Sequence, residues 1–559
     1  MEDKKKIREK VIDTVGSAAD ELGYGACVVG GYVRDTFMGR DSDDIDFVCI
    51  GSKKDKGVRA GIAVATLAAK KLGVDEVREF KNFGTAMFNY KGMEFEFVGA
   101  RKESYDRGSR KPVVENGTLD DDLNRRDLTI NAIAYCVNKG HEGIIDKFGG
   151  IDDIKAKVIR TPLDPDITFS DDPLRMLRAV RFAVRFGFTI EEGTYNGIVR
   201  NAHRLSIISV ERITSEMDKI LMSPDPARGV ELLHKTGLLK MFLPSVSALD
   251  NIRTECGIKH KNNFYHILGV IRYVGEHGGS LQVRWAAMLH DIGKMKTRKY
   301  EDGAWTFRYH ETESAKMVEK IYNELKLPLD DMKKVKKLVE LHMRPQNIVE
   351  DVTDSAIRRL MFDAGDDLED LMLLCMADVT SKNDEKVRRI RDGFEHLKEK
   401  FIDLEKRDHI RNFQPPVNGD EIMRMFGIPP CKLVGVIKDD IKEQILEGNL
   451  ENDHDKAVAY IAAHYTTPTK SSDMVCNHAD GGNIANHAQK KEPSAGKPDM
   501  NDSEKLKRIL KYLDNRMDEM YEILPDAQKT LDGDITIEEA NIIGRYLELE
   551  CLDNFIKKL

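Results

Sequence analysis

The stretch VVGGYVRDTFMGRDSDDIDFV, residues 28–48, decides the reading of the first domain. Val28 and Val29 end an apolar run that reads as a strand, Gly30-Gly31 is the turn after it, and DIDFVCIG is a second strand rich in β-branched and aromatic residues. Residues two apart in a strand share a face, so Asp44 and Asp46 point the same way while Ile45 enters the core. Paired carboxylates suit Mg²⁺, which takes carboxylate, phosphate and water oxygens. Two such ions about 3.5–4 Å apart clamp the attacking and leaving oxygens of a displacement at phosphorus. The glycines let the backbone approach a triphosphate closely. Alone, a D-x-D or a Gly-Gly pair is more often a surface acid pair and an ordinary turn; the weight lies in the combination.

Working outward, GVRAGIAVATLAAKKLG reads as a helix, and TAMFNYK and MEFEFVGAR pair as a hairpin through Lys91-Gly92. These elements make a small mixed, mostly antiparallel sheet. After Asp127 the strand signals almost stop, and residues 170–465 show apolar spacings of three and four, so the fold class is α+β with a helical remainder. The 559 residues allow three or four domains. No apolar run nears the roughly 20 residues a membrane helix needs, and the charged start MEDKKKIREK does not read as a signal peptide. Cys27, Cys49 and Cys136 sit in apolar runs and read as buried thiols of a reducing, cytoplasmic compartment. A net charge of −9 disfavours non-specific coating of nucleic acid but leaves local basic stripes as RNA contacts. One stripe is Arg101, Lys102, Arg107, Arg110 and Lys111; another, Lys333, Lys334, Lys336 and Lys337, reads better as solvated helix surface.

The run GGYVRD followed by GR and DID closely resembles the head of class II nucleotidyltransferases, the family of tRNA CCA-adding enzymes and bacterial poly(A) polymerases. The resemblance continues in order. MEFEFVGARKESY looks like the family's strand with an acid before an arginine, here Glu96 and Arg101; Glu96 is a candidate third carboxylate, with Glu94 competing. DDLNRRDLTINAIAY matches the motif that contacts ribose and triphosphate, giving Arg125, Arg126, Asp127 and Asn131, and an arginine pair suits phosphate. TFSDDPLRMLRAVRFAVRFGF resembles the helix whose acid and arginine read the edge of the incoming base in place of a template; Asp172 and Arg175 fall there. Three apart, they are expected on one helix face, with Arg178 and Arg181 extending it toward phosphate. Asp171 stands where the family usually has Glu. SVERITSEM, with Glu211 and Arg212, resembles a motif that braces the neck, a structural role.

A second constellation lies at residues 255–385. His290-Asp291 followed by Gly293-Lys294 is similar to the defining feature of HD metallophosphohydrolases, with His266 upstream and Asp378 downstream completing the core ligands and His310 and His342 in the places used for a second ion. Imidazole with carboxylate suits Mn²⁺, Ni²⁺, Fe²⁺ or Zn²⁺ better than Mg²⁺. Each histidine alone is more often an ordinary helix residue; the ordered set is what points to metal.

The resemblance thus implies a nucleotidyltransferase head at 1–140 with Asp44 and Asp46 catalytic and Gly30, Gly31 and Arg34 at the nucleotide. It further implies a helical neck at 141–245, an HD body at 246–400 and a tRNA-binding tail at 401–466, with CTP, ATP and tRNA as partners. The alternatives are A-only addition or poly(A) synthesis, and a phosphohydrolase with a spent head. Residues 467–500 read as a flexible linker, and 501–559 as a helical hairpin in which Leu506, Ile509, Leu510, Leu513, Met517 and Met520 share a face and Thr536 with Glu539 forms a capping box. Oligomeric state is left open.

Overall fold

The computed structural model describes residues 4–465 apart from 52–58, 81–83, 105–112, 252–253, 256–257, 260–261, 351–352, 380–383, 409 and 412. Arg107, Arg110, Lys111, the linker and the 501–559 module lie outside the described residues.

The head runs α1 (Lys4–Leu22), β1 (Gly25–Val29), α2 (Gly31–Phe37), β2 (Ile45–Ile50), α3 (Ala60–Leu72), β3 (Arg78–Phe80), β4 (Thr85–Tyr90), β5 (Met93–Gly99), β6 (Arg101–Ser104), β7 (Val113–Asn116), α4 (Leu119–Asn124), β8 (Ala134–Cys136) and β9 (Gly143–Ile145). Seven strands form one sheet in the order β3-β4-β5-β2-β1-β8-β9, while β6 and β7 pair separately. Every pairing in the large sheet is antiparallel except β2 with β5. The expected hairpin joins β4 to β5. Lys91 and Gly92 both take positive φ, 52° and 83°, as a two-residue hairpin turn requires, and Asn89 accepts from the Gly92 amide at 3.0 Å. Phe47 and Phe97 are direct partners across β2 and β5 and stack with centroids 4.9 Å apart. With Phe88 and Phe95 they meet Val11, Val15, Val64 and Ala68 of α1 and α3 to fill the core.

One expectation needs correction. Cys27 and Cys136 are register partners on β1 and β8, their Cα atoms 3.9 Å apart, and they are joined in a disulfide; only Cys49 of the three is a buried thiol. Beyond the head the chain is helical, as expected, with a few short ladders added. Short ladders pair Val158–Ile159 with Thr189–Ile190 and Lys299–Glu301 with Ala304–Thr306. Ladders of two or three residues are too short to leave an alternating pattern in sequence.

In the segment expected to form the neck, the helix Leu174–Phe186 packs on Val210–Leu221. The body is tied to it by Arg284, whose buried guanidinium donates to the Leu221 carbonyl at 2.6 Å, and by the Trp285 indole, which donates to Asp218 at 2.9 Å. Lys334, Lys336 and Lys337 pair with Asp370, Glu319 and Asp367, as a solvated helix surface would. No described helix is long and apolar enough to cross a membrane.

Candidate functional site

The first site lies where β1 ends. Gly30 adopts φ 72°, ψ −130°, a conformation essentially confined to glycine, and a Cβ there would sit 3.1 Å from Arg126 Nη1 and 3.7 Å from Asp46 Oδ2. Asp46 is the second residue of β2, in register with Val29 on one side and Glu96 on the other. Burial, then the charges of Asp44 and Glu96, push its carboxyl up to about 6, against the pull of Arg126. Burial, Asp44 and Glu94 raise Glu96 as well. Of the two acids proposed for a third ligand, Glu96 is half-buried beside Asp46, whereas Glu94 is exposed. Carboxylates crowded until one holds a proton near neutrality are a fit for a divalent cation, which supplies the missing positive charge.

The loop ahead of Asp44 is held from α1. Arg8 donates to the Ser42 carbonyl and pairs with Asp41, both at 2.6 Å, and Lys4 pairs with Asp43. Two of the loop's acids are thereby engaged, leaving Asp44 with Asp46 beside the glycine turn.

Behind the acids lies a buried polar chain. Asp127 accepts from Asn131 Nδ2 at 2.9 Å and from Arg178 Nε at 2.7 Å; Asn131 Oδ1 accepts from Arg34 Nη1 at 2.7 Å; Arg34 grips Asp35 with two further bonds. Burial would raise the Asp127 carboxyl, but Arg178 and Asn131 outweigh it and hold it below the ordinary value. Arg125 and Arg126 share the fully buried Asp122, at helical spacings of three and four. Sequence reasoning passed over Asp122, although the D-x-x-R-R spacing carries the signal.

The neck residues are placed differently from expectation. Asp172 is not inside a helix: Pro173 forces it into an extended conformation (φ −140°, ψ 102°) between two helices. One of its oxygens accepts from the Leu174 amide, the other from Arg212 Nη2 at 2.9 Å, so Arg212 touches the base-reading candidate directly. Arg175 is buried and donates to the carbonyls of Thr168 and Arg125, the latter at 2.6 Å. Arg181 turns from the expected phosphate side into a buried pair with Glu216 at 3.2 Å. That partner is 35 positions along the chain. Glu211 pairs with Lys326 at 2.6 Å, a brace between neck and body.

The second site gathers all six predicted ligands. His266, His290 and Asp378 form one group, and His290, Asp291 and His342 another, each with donor atoms within 4.8 Å of one another. His310 Nε2 lies 3.3 Å from both Asp291 and His342 Nε2. The ligands sit at helix ends or beside them: His290 and His342 cap their helices, His310 starts one and Asp378 ends one. The Nδ1 atoms of His290, His310 and His342 meet the carbonyls of Ala287, Phe307 and Val339 at 2.9, 2.9 and 2.6 Å. A carbonyl only accepts, so each Nδ1 carries the proton and Nε2 is presented to the cluster. His290 Nε2 and Asp291 Oδ1 are buried without a hydrogen-bond partner. Burial would lower the His290 imidazole, but Asp291 and Asp378 raise it to about 10, while burial, then His290, drives His342 down to about 3. Orphaned ligand atoms amid buried carboxylates fit a bound cation.

Comparison with known proteins agrees with this layout. Residues 26–160 match the poly A polymerase head domain, 187–249 the probable RNA- and SrmB-binding site of polymerase A, and 263–383 the HD domain. A multifunctional CCA protein of Pseudomonas paraeruginosa is 31% identical over 337 residues, 58% of this chain and 75% of that protein. An A-adding tRNA nucleotidyltransferase of Deinococcus radiodurans is 29% identical over 423 residues, 74% of this chain and 89% of that protein. The Bacillus stearothermophilus CCA-adding enzyme solved in complex with CTP shares the fold, with a TM-score of 0.56 at 24% identity over 81% of this chain and 96% of that one. The fold and the acidic site thus define a nucleotidyltransferase head joined to an HD domain, an arrangement that points to divalent-metal dependence. The chain belongs to the class II tRNA nucleotidyltransferase family, which comprises CCA-adding enzymes and poly(A) polymerases.

Proposed function

We propose that the chain builds or repairs the 3′-terminal CCA of tRNA without a template, transferring nucleotidyl groups from CTP and ATP and releasing pyrophosphate. The observation that supports it most is the crowding of Asp44 and Glu96 on Asp46, which itself faces the Gly30 turn beside Arg126. Asp44 and Asp46, with Glu96, would hold Mg²⁺, which on binding supplies charge neutralisation and polarises the reacting phosphate. The glycine turn, Arg125 and Arg126 bind the triphosphate. Asp127, Asn131 and Arg34 hold the pocket wall, and Arg178 fastens that wall to the neck. Asp172 and Arg175 read the base, with Arg212 fixing the Asp172 carboxylate.

The proposed division is head, base-reading neck, HD body and RNA-binding tail, and the proposed location is the cytoplasm. The HD cluster would hold a transition-metal ion such as Mn²⁺, Ni²⁺, Fe²⁺ or Zn²⁺ and act on a phosphoester. A-only addition is the second reading, favoured by the long match to the Deinococcus protein.

The test is incorporation of labelled nucleotides into tRNA lacking CCA, with each nucleotide alone and CTP with ATP together. Two C residues and one A, with no use of GTP or UTP, supports CCA synthesis. Addition of A only to tRNA already ending in CC moves the chain to the second reading, and no incorporation refutes both.

A further inference from the structure

We infer that Arg40 and Arg185 form a clamp for the phosphodiester backbone of the RNA strand being extended. The inference rests on the nucleotidyl-transfer reading and adds to it a binding site that lies apart from the triphosphate.

Phe182 and Phe186, one turn apart on the neck helix, stack with centroids 5.6 Å apart. Five guanidinium groups gather on these two rings. Arg181 and Arg178 lie over Phe182 at 4.3 and 5.5 Å, and Arg34 lies over both rings at 5.2 and 4.8 Å. Arg40 and Arg185 lie over Phe186 at 4.9 and 5.4 Å. Three of the five are neutralised by carboxylates: Arg34 by Asp35, Arg178 by Asp127 and Arg181 by Glu216. Arg40 and Arg185 are not. Both are exposed, and among the described residues neither side chain has an ion pair or hydrogen bond.

Sharing one ring keeps these two like charges within about 10 Å of each other. The negative face of the ring offsets part of their repulsion and fixes the guanidinium planes, so little conformational freedom remains to be lost when an anion arrives. What such a pair lacks is a negative group that can accept from planar forks, and a phosphate does so.

Arg40 stands at the far end of α2 from the glycine turn, and Arg34 of the pocket wall shares the Phe186 ring with it. Gly30 precedes α2 and Arg40 follows it, and the seven residues of α2 rise about 10 Å. A triphosphate on the glycine turn is held at the other end of that helix. Arg40 is also only four residues before Asp44, on the loop that Arg8 fixes. A strand bringing its 3′ hydroxyl to Asp44 and Asp46 would have its upstream phosphates available to Arg40 and, across the Phe186 ring, to Arg185.

The experiment uses the full chain and tRNA lacking CCA, with Arg40→Gln and Arg185→Gln singly and together, and the double Lys variant as the charge-conserving control. KM is measured for tRNA and for CTP, and nucleotide-free tRNA binding is followed against salt. For the double Gln variant the expected result is a KM for tRNA raised about tenfold and a KM for CTP changed less than twofold. The salt slope should fall by somewhat under one unit per arginine removed, with the slope largely kept in the double Lys variant. An unchanged tRNA KM and slope would overturn the clamp, as would a CTP KM rising in parallel, which would place the arginines at the triphosphate or in the scaffold. A wild-type chain that incorporates nothing overturns the transfer reading itself, and the clamp with it.

Discussion

Arg178 of the neck helix reaches the buried carboxylate of Asp127 in the head, Nε to Oδ2, at 2.7 Å. This one contact ties the wall of the proposed nucleotide pocket to the helix that also carries Arg175. Asp127→Asn keeps the shape but removes the charge that Arg178 faces. The expected outcome is a loss of about 2 kcal/mol in stability, below the cost for a fully buried pair because Arg178 is a third exposed, and a drop in incorporation of at least about a hundredfold. The folded carboxyl titrates below its ordinary value, so its stabilisation is complete above about pH 4 and disappears as pH falls through the lowered value. Chemical denaturation of both proteins at pH 7 and pH 3 checks this; an equal difference at both would refute it.

Asp46 titrates in the opposite sense. Its folded carboxyl sits at about 6, above the unfolded value, so between about pH 4 and 6 the native state binds the extra proton and stability rises as pH falls. Without divalent ions, Asp46→Asn should therefore be more stable than wild type at pH 7.5 by about 1–2 kcal/mol, the full shift being discounted for residual solvent, while losing incorporation. Thermal melts in EDTA at pH 5 and 7.5 read the effect, and a destabilised variant at pH 7.5 contradicts the crowding argument.

Arg181→Ala separates scaffold from chemistry. It leaves Glu216 buried with Lys219, 3.5 Å away, as its remaining ion-pair partner, for a loss of about 2 kcal/mol. Below its lowered melting point, the KM for CTP should stay within about twofold of wild type, since the Arg181 guanidinium is already engaged by buried Glu216. A large rise in that KM would restore the phosphate role expected from sequence.

At the HD cluster, Asp291 and Asp378 raise the buried His290 imidazole to about 10, so the ion-free protein is expected to carry a proton there. Binding Mn²⁺ or Ni²⁺ must then expel it. Calorimetry at pH 7.5 in buffers of different ionisation enthalpy should report about one proton released per ion, and saturating ion at about a hundred times Kd should stabilise the protein by about 2.7 kcal/mol. Asp291→Ala should abolish both effects while incorporation of CTP continues. Heat independent of buffer would mean that the ion enters an already neutral site.

Much of the site could be read from local sequence because its residues lie on short continuous motifs: the glycine turn, Asp44 with Asp46, the arginine pair before Asp127, His290 with Asp291. What could not be read depends on partners far along the chain. Arg181 and Arg178 look equivalent on one helix, and only the placement of Glu216 and Asp127 sends one into the scaffold and the other to the pocket. Cys27 and Cys136 are 109 residues apart, and nothing near either announces the other. The phase error at Asp172 has a local cause that was legible, the proline that follows it. The choice between Glu94 and Glu96 turned on which faces Asp46 across a parallel pairing, a long-range register that alternation alone leaves open.

That parallel pairing has a consequence for synthesis. β1 and β2 can associate soon after they leave the ribosome, but Glu96 reaches Asp46 only when β5 is laid between β4 and β2, and β8 closes the other side later still. Such distant contacts form slowly. A nascent head therefore keeps Glu96 away from Asp46 until residues beyond 99 have emerged and β5 has docked on β2. A ribosome stalled before that point would hold a chain that carries Asp44 and Asp46 without the third carboxylate beside them.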